Sequence, residues 1–451
     1  MKLTALLIGK SDCIASALRN SSNLLKLYVI SDFANPGLAD KADELIIGNT
    51  NDPIEVAKHA ERLQPDFAVI GSEEPLEKGV VDKLAELGIP CVGPFQKLAQ
   101  LESSKAFTRQ LIAKYGISGN PEFRVFRNGE AGLAEYLAER GEFVVKPDGL
   151  TGGKGVKVFG EHLATISEGV EYCQELFDLG HRTVVIEEKL DGEEFSFQSF
   201  FDGRHIAHMI PIQDHKRAFD NDTGPNTGGM GSYSCADHLL PFLTKEHVQE
   251  AGEINRLVGE ALLKETGQEY KGVLYGGFML TKNGLRVIEY NARFGDPEVM
   301  NVMSLLETDF VDICQAIIRG TLNQLPIKFK HQASVCKYIV PEGYPKKSAS
   351  AVGREIDLSR VLRSPDLGSK LRLFYGAVNE EAGAIRLTDS RSLALVGVAD
   401  TLQEAEKISE KAASSVRGPV HHRQDIGTSK LIQKRIDHME QIAGTGVRRR
   451  A

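Results

Sequence analysis

Four short apolar runs in the first hundred residues constrain this chain more than any other feature. They are "ALLIG" (5–9), "KLYVI" (26–30), "ELIIG" (44–48) and "FAVIG" (67–71), with helical patterns such as "EVAKHAERL" (55–63) between them. Strands buried on both faces and joined through helices form a parallel α/β sheet. Ligands of such sheets bind beyond the carboxyl ends of the strands. Those ends carry "GKSDC" after the first run and "GSEEPL" (71–76) after the fourth, which makes Gly9, Lys10 and Glu73 candidate binding residues.

The pattern then changes. A helix is expected through "QLESSKAFTRQLIAKYG" (100–116), with Gly116 at its end. "EFVVKPDGLTGGKGVKVF" (142–159) reads as strand, glycine loop, strand, and "TVVIEEKLDG" (183–192) as a strand running into a turn. Alternating segments around Asp202-Gly203 and Asn283-Gly284 predict hairpins, so the middle of the chain is antiparallel α+β. Shorter strands at 334–340, 371–378 and 392–399 and a helix at 401–416 close the pattern. With 451 residues the chain exceeds a single core of about 250–300. The division expected is an α/β domain over 1–100, a middle domain over 101–325, a small α+β domain over 326–427, and a terminal helix with a basic tail over 428–451.

A net charge of -8 argues against a nucleic-acid surface. Six cysteines stand apart, without CxxC or zinc spacing, as scattered reduced thiols do. "LTALLIG" (3–9) is too short to span a bilayer and has no cleavage site after it, so a cytoplasmic protein is expected.

Several residues could carry chemistry. "GLTGGKG" (149–155) matches neither a Walker A loop nor GxGxxG; it is a flap between strands. It is either a mobile surface turn or a phosphate cradle of backbone N–H groups with Lys154. Lys146, at the buried end of the preceding strand, is either a solvated strand-end lysine or one that calls for an anion. In "VIEYN" (287–291), Glu289 and Asn291 lie two apart on a strand and point two oxygen donors one way, opposite Ile288 and Tyr290. That set suits Mg²⁺ completed by phosphates and water. Arg293 and Asp296 follow directly. "QDHKRAFDNDTGPNTGGMG" (213–231) combines Asp214, Lys216 and Arg217, able to hold a zwitterion or a phosphate, with bare glycine backbone. His215 is read as a structural, hydrogen-bonded histidine, since no nucleophile accompanies it.

Together the stretches "GPFQKLAQLESSKAFT", "VVKPDGLTGGKGVKV", "VVIEEKLDGEEFSF", "IQDHKRAFDNDTGPNTGGMGSYS", "VIEYNARFGDPE" and "HHRQDIG" resemble the phosphoribosylamine–glycine ligase (glycinamide ribonucleotide synthetase) family of ATP-grasp enzymes. The resemblance runs from about 93 to 427. It implies an N-terminal α/β domain, an ATP-grasp core with a mobile lid at about 122–190, and a C-terminal domain. ATP, Mg²⁺ or Mn²⁺, glycine and 5-phosphoribosylamine are the implied ligands, without nucleic acid or membrane, in a monomer or small homo-oligomer. Lys105 and Lys146 would hold phosphates, with Gly152, Gly153, Lys154 and Gly155 closing on them. Glu187 and Leu190, with Glu188, would border adenine, and Glu194 the ribose. Glu289 and Asn291 would ligate the metal. Arg293 and Asp296 would serve catalysis. Asp214, Lys216, Asn226, Gly228, Gly229, Pro297 and Glu298 would form the substrate side, their glycines admitting substrate against bare backbone. The implied reaction joins glycine to phosphoribosylamine through glycyl phosphate, a step of purine biosynthesis.

One departure stands out. Where the family carries "GxGGREHAL" after its first strand, this chain has "GKSDCIASAL" (9–18). Two other readings therefore stay open: an ATP-grasp ligase with a different amine acceptor, and a nucleotide-binding regulator without turnover.

Overall fold

The computed structural model describes residues 2–152, 155–347 and 350–444. Strands are numbered along the chain. β1 (Leu3–Ile8), β2 (Leu24–Ser31), β3 (Glu44–Ile47), β4 (Phe67–Ile70) and β5 (Cys91–Val92) form a parallel sheet in the order β3-β2-β1-β4-β5. Ala5 to Ile8 are fully buried, as a central strand covered on both faces requires. After β1 the side chain of Ser11 accepts from Ile14 N and starts the helix Asp12–Arg19.

The expected helix over 100–116 is two helices, Gln96–Ser103 and Lys105–Lys114. Ser104 breaks them in extended conformation, its hydroxyl accepting from Phe107 N. Serine competes for backbone N–H groups, which favours caps over helix interiors. The break leaves Lys105 as the first residue of a new helix.

β6 (Phe123–Arg127), β7 (Phe143–Pro147), β8 (Lys157–Val158) and β9 (Thr183–Glu188) make an antiparallel sheet, order β6-β9-β7-β8. It packs on its own apolar cluster of Phe126, Phe143, Val184 and Ile186 with the helices Leu133–Arg140 and Ile166–Asp178.

The middle region continues with β10 (Gly192–Asp202), β11 (Ile206–His208), β12 (Gln213–Asp214), β13 (Arg217–Phe219), β14 (Thr223–Asn226) and β15 (Gly231–Ser234). The hairpin β16 (Lys271–Thr281) and β17 (Gly284–Asn291) follows. One sheet runs β11-β10-β16-β17, with turns where Asp202-Gly203 and Asn283-Gly284 place them.

The C-terminal region contributes β18 (Ala333–Pro341), β19 (Glu355–Ile356), β20 (Leu371–Tyr375), β21 (Val378–Glu381), β22 (Ala384–Leu387), β23 (Leu393–Ala399) and β24 (Val420–His421). The segment 371–378, expected as one strand, splits between two sheets at Gly376. More consequential is the order β12-β15-β18-β23-β20: two strands from the middle region complete the C-terminal sheet across the expected boundary at 325. All four residues of β15 are buried there, with Gly231 opposite Lys337 and Ser234 opposite Ser334. The helix Ser429–Ala443 returns to the middle region, where Arg435 pairs with Glu193 at 3.3 Å and with Asp222 at 2.6 Å. The cysteines of the described residues are all free thiols.

Candidate active site

The site begins with an irregularity in β17. Gly277 pairs with Glu289 and Phe278 with Val287, so Ile288 is an extra residue. A bulge frees a carbonyl from the ladder. Here Ile288 O accepts from Arg109 Nη2 (2.6 Å) and Lys146 Nζ (3.2 Å). Tyr290 is buried with its hydroxyl on Asn255, while Ile288, expected on the same face, is half-buried at the bulge. Beyond it Glu289 and Asn291 share the other face.

Beneath them lies a chain of charge. Arg109 grips Glu187 through Nε (2.7 Å) and Nη2 (2.9 Å), and Lys146 Nζ reaches the same carboxylate at 2.8 Å. Burial alone would raise the Glu187 carboxyl, but the charges of Arg109 and Lys146 outweigh it and hold it at about 2. The side chain of Glu187 therefore anchors these cations. Lys105 donates to Gly149 O at 2.9 Å, and burial lowers its ammonium below the usual range. Asp148 fixes that corner, accepting from Ser104 Oγ, Ala106 N and Thr183 Oγ1.

Glu289 is 37% exposed at its side chain, open enough to meet a ligand. Burial would raise its carboxyl, yet Lys216, Lys146, Lys105 and Arg293 together bring it below the ordinary value. Lys216 lies 3.6 Å from Glu289 and 3.3 Å from Glu194. Arg293 joins two regions: Nε donates to Glu73 (3.0 Å), after β4, and Nη2 pairs with Glu102 (3.1 Å). Glu102 also accepts from Ala292 N at 2.7 Å and, with the Asn291 amide oriented to match its neighbours, from the amide nitrogen at 3.1 Å. Burial pushes its carboxyl up to about 7 against the pull of Arg293.

A second group adjoins the first. Asp214 accepts from His215 N at 2.6 Å; burial and the nearby Glu298 raise its carboxyl well above the usual range. Glu298 is buried and accepts from Tyr275 Oη at 2.8 Å. Asp296 is held by Tyr338 Oη (2.6 Å) and Arg391 Nη2 (2.9 Å). The same guanidinium donates to Gly228 O (2.7 Å) and to Asp296 O (2.7 Å) and lies over the Tyr338 ring. The glycine loop is thus closed by protein. At Gly229 (φ +111°) a Cβ would stand 2.5 Å from Pro297 Cδ and 2.7 Å from Asp214 Oδ1. At Gly231 (φ +151°) it would stand 2.2 Å from Cys336 O. The expectation that these glycines make room chiefly for substrate is revised: they let this backbone pack against Asp214, Pro297 and β18. His215 is buried with neither ring nitrogen partnered, so the expected structural hydrogen bond falls to its backbone, paired with Gly231 and Met230.

The remaining candidates spread around this centre. Lys10 lies over the Phe33 ring at 5.8 Å, and with Arg293 it holds Glu73 ionised. Gly9 is in the left-handed region at φ +129°. Asp12, in the altered turn, is fully buried, pairs with Lys41 at 2.8 Å and accepts from Tyr375 N at 2.9 Å. Glu188 ends β9 and accepts from Glu122 N; Leu190 lies in the link to β10. Gly155 O accepts from Tyr172 Oη at 2.8 Å, and Gly152 takes φ +56°. Gly153 and Lys154 lie outside the described residues. Asn226 sits on β14 opposite Arg217. Arg109, Glu102 and Arg391 were missed from sequence. Arg109 falls mid-helix, Arg391 precedes an unremarkable strand, and only the placement of Glu102 three residues before Lys105 hinted at a role.

The donors fit a divalent cation. Asn291 turns its nitrogen to Glu102 and keeps its oxygen away from that carboxyl, on the strand face it shares with the ionised Glu289. Among the described residues no three His, Cys, Asp or Glu side chains converge for a metal. A cation here would complete its shell from phosphate and water.

Two antiparallel sheets, β6-β9-β7-β8 and β11-β10-β16-β17, with Lys105 and Lys146 close to a Glu-x-Asn pair at the end of β17, define the ATP-grasp class. The comparisons then narrow it. Residues 103–299 match the phosphoribosylglycinamide synthetase ATP-grasp (A) domain, 5–102 its N domain and 334–429 its C domain. A phosphoribosylamine–glycine ligase of Methanocella arvoryzae is 46% identical over 436 residues, covering 97% of this chain and 98% of that one. The crystal structure of phosphoribosylamine–glycine ligase from Thermotoga maritima superposes with a TM-score of 0.75 at 26% identity, covering 94% of this chain and 100% of that one. In fold alone, the biotin carboxylase domain of Hydrogenobacter thermophilus 2-oxoglutarate carboxylase, solved with MgADP and bicarbonate, superposes with a TM-score of 0.70 at 18% identity, covering 94% and 92%. The chain belongs to the phosphoribosylglycinamide synthetase (phosphoribosylamine–glycine ligase) family. Among the described residues no helix is long and apolar enough to cross a membrane.

Proposed function

We propose that this chain joins glycine to 5-phosphoribosylamine at the expense of ATP, giving glycinamide ribonucleotide, ADP and phosphate, in cytoplasmic purine biosynthesis. The observation that carries the proposal is the position of Glu289: a carboxylate amid Lys105, Lys146, Lys216 and Arg293, next to the Asp214 and Glu298 group. ATP-grasp ligases use ATP with a divalent cation; Mg²⁺ or Mn²⁺ would be held here by Glu289 and Asn291, and when bound would offset charge on the terminal phosphates.

The chain's own residues do the rest by position and charge. Lys105 and Lys146 hold the polyphosphate. Asp214 and Glu298 receive the ammonium of glycine and leave its carboxylate toward Arg293. That carboxylate attacks the γ-phosphorus, ADP departs, and glycyl phosphate forms. The amine of phosphoribosylamine, bound near Lys10 and Glu73, attacks the acyl carbon; phosphate leaves and takes up the released proton. No protein nucleophile is needed.

The altered turn supports retention of the amine site. Asp12 is used for docking onto the C-terminal region, while Lys10 and Glu73 keep charge at the strand ends. The decisive assay measures phosphate release with glycine and phosphoribosylamine generated in situ. Release that needs both compounds supports the assignment. Glycine activation that phosphoribosylamine does not accelerate would transfer it to another amine.

A further inference from the structure

The geometry points to Glu102 as the positioning residue that sets which way Asn291 and Arg293 face. The inference rests on the nucleotide site proposed above. Glu102 is 7% exposed at its side chain and contacts three consecutive residues. One oxygen accepts from Ala292 N (2.7 Å); the other meets Arg293 Nη2 (3.1 Å) and the Asn291 amide nitrogen (3.1 Å).

Both oxygens of Glu102 already face donors, Ala292 N on one and Arg293 Nη2 on the other, so it meets its neighbours as an acceptor, whereas an asparagine amide has a donor end and an acceptor end. Beside Glu102, Asn291 turns its nitrogen to that carboxyl, and its oxygen is left facing away from it, on the strand face shared with Glu289. A glutamine at 102 offers an NH₂ group as well and removes that constraint. The Ala292 N bond fixes the backbone between the two side chains, so one carboxylate sets amide and guanidinium together. The helix carrying Glu102 ends at Ser103 and Lys105 opens the next one, so the lysine proposed to hold phosphate starts three residues from the anchor. Partners that orient metal ligands commonly change metal affinity about 10–100-fold.

The test measures free Mn²⁺ by electron paramagnetic resonance with ADP and full-length protein, with melting temperature followed in parallel. Wild type, Glu102→Gln, Asn291→Asp and the double variant form a cycle. Glu102→Gln is expected to weaken Mn²⁺ binding about tenfold, with ADP binding in EDTA unchanged. Asn291→Asp restores a donor–acceptor match with Gln at 102, so the double variant binds more tightly than additivity allows. Mn²⁺ affinity in Glu102→Gln within about twofold of wild type, or an additive cycle, overturns the inference. If Glu102→Gln does not fold, Glu102→Asp decides: the shorter carboxylate loses affinity several-fold at unchanged melting temperature, and wild-type affinity overturns the role. A wild-type protein that binds no Mn²⁺ with ADP refutes the nucleotide site itself, a result distinct from failure of the Glu102 role.

Discussion

Lys146 and Glu187 meet at 2.8 Å across neighbouring strands of the lid sheet, and Arg109 holds the same carboxylate. The lysine proposed to receive phosphate is thereby aimed before any ligand arrives. Glu187→Gln leaves two buried cations without their anion. Removing one partner of a buried pair costs about 3–5 kcal/mol, and denaturant unfolding is expected to show a loss of that order. Unchanged unfolding would mean the carboxylate does not anchor them.

Acid should destabilise the protein in two stages. His215, brought from 6.5 to about 3 by burial and nearby arginines, refuses a proton that the unfolded chain accepts. Its contribution is complete above pH 6.5 and is lost as pH falls toward 3. Glu187, brought from 4.5 to about 2, adds a contribution complete above 4.5 and lost toward 2. By linkage that second part is worth about 3 kcal/mol. Melting temperature against pH should fall below 6.5 and steepen below 4.5, with His215→Asn flattening the first part.

Glu289→Ala should abolish phosphate release, by at least about 100-fold given the loss of a metal ligand and its charge. The fold should survive, since the side chain is partly open to solvent. Circular dichroism and a phosphate assay on one preparation check both halves; activity near wild type refutes the metal assignment.

Gly229→Ala tests the reading of the loop. The new methyl meets Pro297 and Asp214 at a backbone angle that disfavours any side chain. Stability is expected to drop by about 2–3 kcal/mol, and KM for glycine to rise more than KM for ATP, because Asp214 must move. Equal changes in both KM values would place the damage elsewhere.

Asp12→Ala should loosen the contact between the turn after β1 and Tyr375. A cost of about 2 kcal/mol is expected, with kcat within about threefold of wild type. A collapse of kcat at full stability would make Asp12 part of the amine site instead.

Local signals account well for the strands of the first sheet and for both hairpins. "ALLIG" and "FAVIG" are apolar throughout because both faces are covered, and Asn283-Gly284 sits where a tight turn needs a positive φ. The Glu289 and Asn291 pair was legible for a related reason: strand alternation is a two-residue rule, and it holds beyond the bulge. The bulge at Ile288 was not legible, since it depends on a carbonyl taken by Arg109 from another element. Nor was the fate of Glu187, whose partners come from a helix and a neighbouring strand. The glycine loop misled in an informative way. Its composition announced a close approach, but whether ligand or protein approaches is decided by Arg391, Pro297 and Cys336, all distant in sequence.

Because β15 is paired to β18, the C-terminal region of the molecule cannot be shed as an appendage. A chain ending before residue 333 would leave β15 with an unpaired row of backbone groups beside the glycine loop. Such a rim invites strand exchange between molecules, so a shortened product should be recovered as insoluble aggregate rather than as a smaller working catalyst.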